Sequence, residues 1–199
     1  MQWLWLVLIF GCQDRKKIEW SELSDNDWVG VEFGGHGETS LSGGVYRLGM
    51  GVELTGIQFG GELPTIPYIL EFEAKKIAGT DFFCGLTFPV RSNAECLTLI
   101  LGGWGGGTVG LSCIDGKDAS ENETTVYRNF KNEQWYQIQL LVTNERIQIE
   151  LNGDKIIDFE IGDHSLGLRY GTIDLCAPLG FATFQTQAEI RKARWRSLN

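Results

Sequence analysis

Glu71 and Glu73, in Ile69-Leu70-Glu71-Phe72-Glu73-Ala74, stand two positions apart. On an extended strand residues i and i+2 share a face, which puts the two carboxylates ~7 Å apart. Paired carboxylates at comparable separations act in glycoside cleavage, one as acid and one as base or nucleophile. His36, in Phe33-Gly34-Gly35-His36-Gly37-Glu38, is a candidate base because imidazole titrates near neutral pH. Both features also have plainer uses, as the wet face of a sheet and a solvated turn. The Glu-x-Asp-x-Glu strand motif of laminarinase-type glycosidases is absent.

A second kind of chemistry resides in Gly102-Gly103-Trp104-Gly105-Gly106-Gly107. Glycines on both sides strip the indole of neighbouring side chains, leaving its apolar face free to stack on a ring-shaped ligand. The alternative is a tight hairpin with the indole packed on the core. The loop lacks the Gly-Lys-Ser/Thr ending of a phosphate-binding loop. Amides and acids that alternate with apolar residues, Gln137, Gln139, Glu150 and Gln185, supply the polar groups that would line a binding face beside it.

Asp115, Asp118, Glu121 and Glu123 crowd one polar loop, and hard oxygen ligands at such density suit a divalent cation such as calcium. Asp115 and Asp118 are the candidate ligands, although the spacing is not that of an EF-hand and acidic loops are commonly just solvated. Two histidines, His36 and His164, exclude a three-histidine zinc site. Apart from Cys12, four cysteines remain (Cys84, Cys96, Cys113 and Cys176), with no C-x-x-C spacing among them. Three disulfide pairings are open to them, as are free buried thiols, particularly at Cys84 in its apolar surroundings.

The elements that must position these residues read as strands. Tyr68-Ile69-Leu70-Glu71-Phe72-Glu73-Ala74 alternates with period two, putting Tyr68, Leu70, Phe72 and Ala74 on a core face and the glutamates on a wet one. Residues 135–142 and 146–151 repeat the alternation, and Asn152-Gly153 supplies the positive-φ pair of a tight hairpin into residues 155–159. Further strands are expected at 82–90, 97–101, 108–114, 179–186 and 190–198. No segment after the N-terminus holds a helical period. Short strands, many turns and 26 glycines predict an all-β, two-sheet antiparallel β-sandwich, with Glu71, Glu73, Gln137, Gln139, Glu150 and Gln185 sharing one outward face.

Length and charge restrict the setting. A chain of 199 residues fits one sandwich domain, placed here at 18–199. A formal net charge of -9 argues against nucleic acid as a partner, since basic side chains are needed to displace phosphate counterions. Residues 1–10 form an apolar run too short to span ~30 Å of hydrocarbon. Followed by Gly11-Cys12, the run reads as an export signal over 1–12, with Cys12 as the lipidation site of a cell-envelope or periplasmic lipoprotein and that anchor as the sole membrane contact.

Residues 81–90, the Gly102–Gly107 loop, residues 110–119, Trp135-Tyr136 and the stretch from Pro178 to Arg191 together resemble the 3-keto-disaccharide hydrolase domain family of planctomycete-type exported proteins. That resemblance implies a concanavalin A-like (LamG-like) jelly roll. It further implies a carbohydrate partner and, in catalytic members, metal-assisted hydrolysis or lyase cleavage of 3-keto-glycosides. The family's closing pattern is kept only in part, as Phe184-Gln185 and Ile190-Arg191-Lys192-Ala193. The competing expectation is a non-catalytic glycan-binding or cell-envelope adhesion module that uses the same surface.

Overall fold

The computed structural model describes residues 19–198; Cys12 and the expected signal segment lie outside them. Fifteen strands are present among the described residues: β1 (Ser21–Glu22), β2 (Trp28–Gly30), β3 (Thr39–Ser42), β4 (Val45–Leu48), β5 (Leu54–Phe59), β6 (Tyr68–Gly79), β7 (Cys84–Val90), β8 (Ser92–Gly102), β9 (Thr108–Ser112), β10 (Val126–Tyr127), β11 (Trp135–Val142), β12 (Arg146–Leu151), β13 (Asp154–Glu160), β14 (Gly180–Phe184) and β15 (Thr186–Ser197). They form two antiparallel sheets, as the alternation predicts. The larger runs β13-β12-β11-β6-β15-β4-β3 with β1 paired to β15, and the smaller runs β10-β9-β8-β7-β14-β5-β2.

The sheets close on each other through the apolar halves of the strands. Tyr68, Leu70, Phe72 and Ala74 from β6 are buried with Ile138, Leu140 and Val142 from β11, facing Leu86, Phe88, Leu97, Leu99 and Leu101 from the smaller sheet. Phe72 meets Phe181 edge-on with centroids 5.0 Å apart, and the buried Tyr68 hydroxyl donates to Pro89 O at 2.8 Å, tying one sheet to the other. The Asn152-Gly153 hairpin forms as its sequence dictates, with both residues at positive φ (52° and 85°). The Asn152 side chain also accepts from Gln137 N, which fixes the register of β12 on β11.

The expected strand at 179–186 is divided. Gln185 takes φ 45° and turns the chain from β14 in the smaller sheet to β15 in the larger. Gln185 is therefore a turn residue and does not share the outward face with the other glutamines. Five short strands between Ser21 and Phe59 carry too little alternation to be read from the sequence, yet they complete both sheets. No helix among the described residues is long and apolar enough to cross a membrane.

Candidate functional site in a cleft on the smaller sheet

Five of the residues singled out by sequence lie on the larger sheet. Register puts Glu71 opposite Gln139, Glu73 opposite Gln137, and Gln139 opposite Glu150, so these five share one outward face, as the period-two pattern requires. On its other side β6 pairs with β15, which carries a row of cations. Arg191 Nε lies 2.6 Å and Lys192 Nζ 2.9 Å from Glu73, and Arg194 holds Glu71 at 2.8 and 3.1 Å. Partial burial pushes the Glu73 carboxyl up, but its hydrogen bonds to Lys192 and Arg191 outweigh burial and hold it below the usual carboxylate range. A carboxylate so neutralised is a poor proton donor near pH 7. Trp135 is covered as well, by Arg191 at 3.8 Å and Lys75 at 4.8 Å from its ring centroid.

His36 does not join them. It sits in the loop between β2 and β3, its Nε2 3.1 Å from Glu32 and its Nδ1 2.9 Å from Gly37 O, and these bonds raise its pKa. The acidic loop is organised from within. Asn122 Nδ2 donates to Leu111 O, Lys117 O and Asp118 O, while its Oδ1 accepts from Thr124 N and Oγ1. Asp115 accepts from Ser165 N at 2.9 Å and pairs with His164 Nδ1 at 2.7 Å, which lowers the pKa of Asp115 and raises that of His164. Asp118 accepts instead from Ser112 Oγ and Cys113 Sγ and lies 3.4 Å from Arg169 Nε. Asp115 and Asp118 thus face different partners, and no group of three or more His, Cys, Asp or Glu among the described residues is arranged to hold a metal ion.

All four cysteines from Cys84 on are free thiols. Burial raises their pKa values: Cys96 is pushed up to about 11 and Cys176 to about 12, with Cys84 higher still. Cys84, Cys96 and Cys176 are buried and poorly disposed to ionise, while the partly buried Cys113 donates to Asp118.

A largely apolar concavity lies on the other side of the sandwich, against the outer face of the smaller sheet. There the β8–β9 turn lifts Trp104 over a cleft of about 440 Å³. Gly102, Trp104, Gly105 and Gly106 all have positive φ (82°, 49°, 90° and 102°), which explains the glycines. Trp104 alone holds this conformation with a side chain, at a cost of roughly 1–2 kcal/mol for a non-glycine residue. A Cβ on Gly102 would stand 3.0 Å from the Phe83 ring, so the turn must also pass close to the core. Asp81 pins the turn, accepting from Phe82 N at 2.8 Å and Gly105 N at 3.3 Å. The indole is left 43% exposed.

Thr98, Ile100 and Ser112 from β8 and β9 line the floor, with Leu54 and the stacked rings of Phe82 and Phe184, 6.0 Å apart. The far wall is the segment 169–173, with Arg169, the fully exposed Tyr170, Gly171, Thr172 and Ile173. This wall lies flat on the sheet because glycines leave room for it. A Cβ on Gly180 would come within 2.6 Å of Cys176 O, and one on Gly56 within 3.1 Å of the Cys176 sulfur. Ile173 and Cys176 then join Val31, Phe33, Leu54 and Ala182 in a second apolar cluster. Upstream the wall is tied to the acidic loop by Cys113 N→Gly167 O, Gly167 N→Cys113 O and the Asp115–His164 pair. Arg169 lies 5.9 Å from the Trp104 ring, and Glu53 closes the remaining side. Gln185 braces that side, donating its backbone N–H to Glu53 O and its side chain to Val52 O.

Trp104 is thus the predicted residue that lines this cleft, with Asp118 and Gln185 supporting its walls from outside. Glu71, Glu73 and Gln137 line a separate concavity on the larger sheet together with Lys192 and Arg194, cations that pair the two glutamates. Sequence reading missed Glu53, Asp81, Arg169 and Tyr170. The signal available for Arg169-Tyr170-Gly171 was a bulky exposed aromatic beside a glycine, which carries meaning only once the segment is known to fold over the sheet.

No family model and no curated protein matches the chain. Solved structures do. The carbohydrate-binding module CBM66 from Bacillus subtilis superposes with a TM-score of 0.54 at 13% identity, covering 86% of this chain and 96% of that one. Domain 4 of AbnA, a GH43 extracellular arabinanase from Geobacillus stearothermophilus solved in complex with arabinotriose, gives 0.55 at 13% identity, over 89% and 90%. The Crh5 transglycosylase in its apo form gives 0.56 at 9% identity, over 91% and 84%. At such identities the likeness establishes the fold, a jelly-roll β-sandwich, and leaves function to the site.

Proposed function

We propose that this chain is an exported carbohydrate-binding domain that takes a sugar ring between Trp104 and Tyr170 in the cleft of the smaller sheet. The observation that carries this is Trp104, held exposed in a left-handed conformation at the lip of a cleft with an apolar floor and a few polar groups at its edge. Strain of this kind is retained where the surrounding structure over-determines it, and such positions cluster at binding sites. Apolar clefts with a few convergent polar groups are the usual form of small-ligand sites. Structural likeness to a carbohydrate-binding module and to an arabinanase domain bound to arabinotriose supports the choice of ligand. A glycan array followed by calorimetry tests it. Trp104→Ala and Tyr170→Ala should each weaken the leading ligand about 10-fold, roughly 1.4 kcal/mol, without lowering the melting temperature. Unchanged affinity in both variants would refute the site.

The catalytic alternative, cleavage of a 3-keto-glycoside, is favoured by one observation: Glu53 brings to the cleft a carboxylate that has no partner among the described residues, where a base could reach a proton beside the ketone. Incubation with 3-keto-glucosides, with and without divalent cations, distinguishes the two. Turnover lost in Glu53→Gln would make the domain an enzyme, and binding without turnover would make it a module. Anchoring through Cys12 belongs to the same proposal and predicts fatty-acid labelling of the full chain that Cys12→Ser abolishes.

A further inference from the structure

The charged groups lining the cleft are Glu53, Asp81 and Arg169, two carboxylates against one guanidinium. They are not equally available. Asp81 already accepts two backbone N–H groups. Arg169 has Asp118 3.4 Å from its Nε, so part of its positive charge is offset before any ligand arrives. The Glu53 side chain makes no hydrogen bond or ion pair with the described residues, while Gln185 holds the backbone on either side of it.

We infer that the cleft selects uncharged glycans presenting adjacent hydroxyls and rejects acidic ones, with Glu53 as the deciding residue. This rests on the glycan-binding reading above. An ionised carboxylate is acceptor-only, with two oxygens that can each take an O–H. Bonds from hydroxyls to a charged oxygen are about twice as strong as those between neutral groups. A guanidinium across the cleft supplies matching donors to the hydroxyl oxygens. A ligand carboxylate or sulfate in the cleft would meet two carboxylates, Glu53 and Asp81, alongside the single guanidinium of Arg169, in a chain whose formal net charge is -9. Arg169 cannot offset both, and like charges juxtaposed in a binding site disfavour the wrong partner. Salt should relieve that repulsion, since the screening length is about 8 Å at 0.15 M.

The experiment uses the full chain on an array of neutral, uronic and sulfated oligosaccharides. Calorimetry then compares the tightest neutral ligand with the same oligosaccharide oxidised at C6 to a carboxylate. We expect the neutral form to bind at least 10-fold more tightly, and the gap to narrow to under 3-fold both in Glu53→Gln and at high salt. Melting of Glu53→Gln should match the parent, because the side chain is exposed and makes no pair with the described residues. Equal or tighter binding of the oxidised form, or a gap that Glu53→Gln leaves unchanged, overturns the inference while sparing the glycan-binding reading. Failure to bind any glycan overturns both.

Discussion

The carboxylates of the larger sheet show how much a residue's role depends on what lies opposite it. Glu73 is positioned as an acid/base residue would be, two places from Glu71 on a wet strand face. Its partners on β15 make it an ion-pair acceptor instead. Because its folded pKa is depressed, its contribution to stability is fully present above the ordinary value of 4.5 and is lost as pH falls through that value toward the folded one. Thermal melts should therefore show stability declining on the acid side of pH 5. Glu73→Gln, which cannot ionise, should flatten part of that decline while lowering stability at pH 7 by about 1 kcal/mol, as expected for a partly exposed pair. An acid limb identical in the variant would mean that the pair contributes nothing. From sequence the carboxylates and their common face were legible, but their neutralisation was not, because the pairing cations lie more than a hundred residues away.

At the scale of elements, the cleft exists because the connection between β13 and β14, with its short 3-10 helix (Thr172–Cys176), lies on the outer face of a sheet. The strands of that sheet were partly legible as apolar runs at 82–90 and 97–101, but not that their outer face would be covered. Gly180 records the covering. Its Cβ would meet Cys176 O and Ile57 O, both at 2.6 Å and both backbone, so nothing flexible can give way. Gly180→Ala should cost about 2–4 kcal/mol by urea unfolding, in the range of overpacking and large-effect substitutions. Gly167, in the loop that leads into this short helix, would have nothing within 4 Å of a Cβ, and Gly167→Ala should change stability by less than about 0.5 kcal/mol. If the two substitutions cost the same, close approach is not what places the wall. In a sequence the two glycines look alike, since each requirement is imposed by a neighbour distant along the chain.

For the whole molecule, stability comes from one large core shared by two sheets, with the free thiol of Cys84 buried inside it and that of Cys176 in the smaller apolar cluster. The melting temperature should be the same with and without dithiothreitol, and alkylation of the native protein should be slow at Cys84 and Cys176, both fully buried. A melt that falls on reduction would show a cross-link absent from this fold. The sequence by itself determined the fold class, the Asn152-Gly153 hairpin, the faces of β6, β11 and β12, and the unusual turn around Trp104. Each of these is dictated over a few consecutive residues by strand alternation or by the backbone freedom of glycine. Only the tertiary structure decided that Glu71 and Glu73 would be ion-paired, that Asp115 and Asp118 would face different partners, and that Trp104 would share a cleft with Glu53, Asp81, Arg169 and Tyr170. Those outcomes depend on strand order and on loops crossing a sheet, where residues from distant parts of the chain meet through packing that no local pattern encodes.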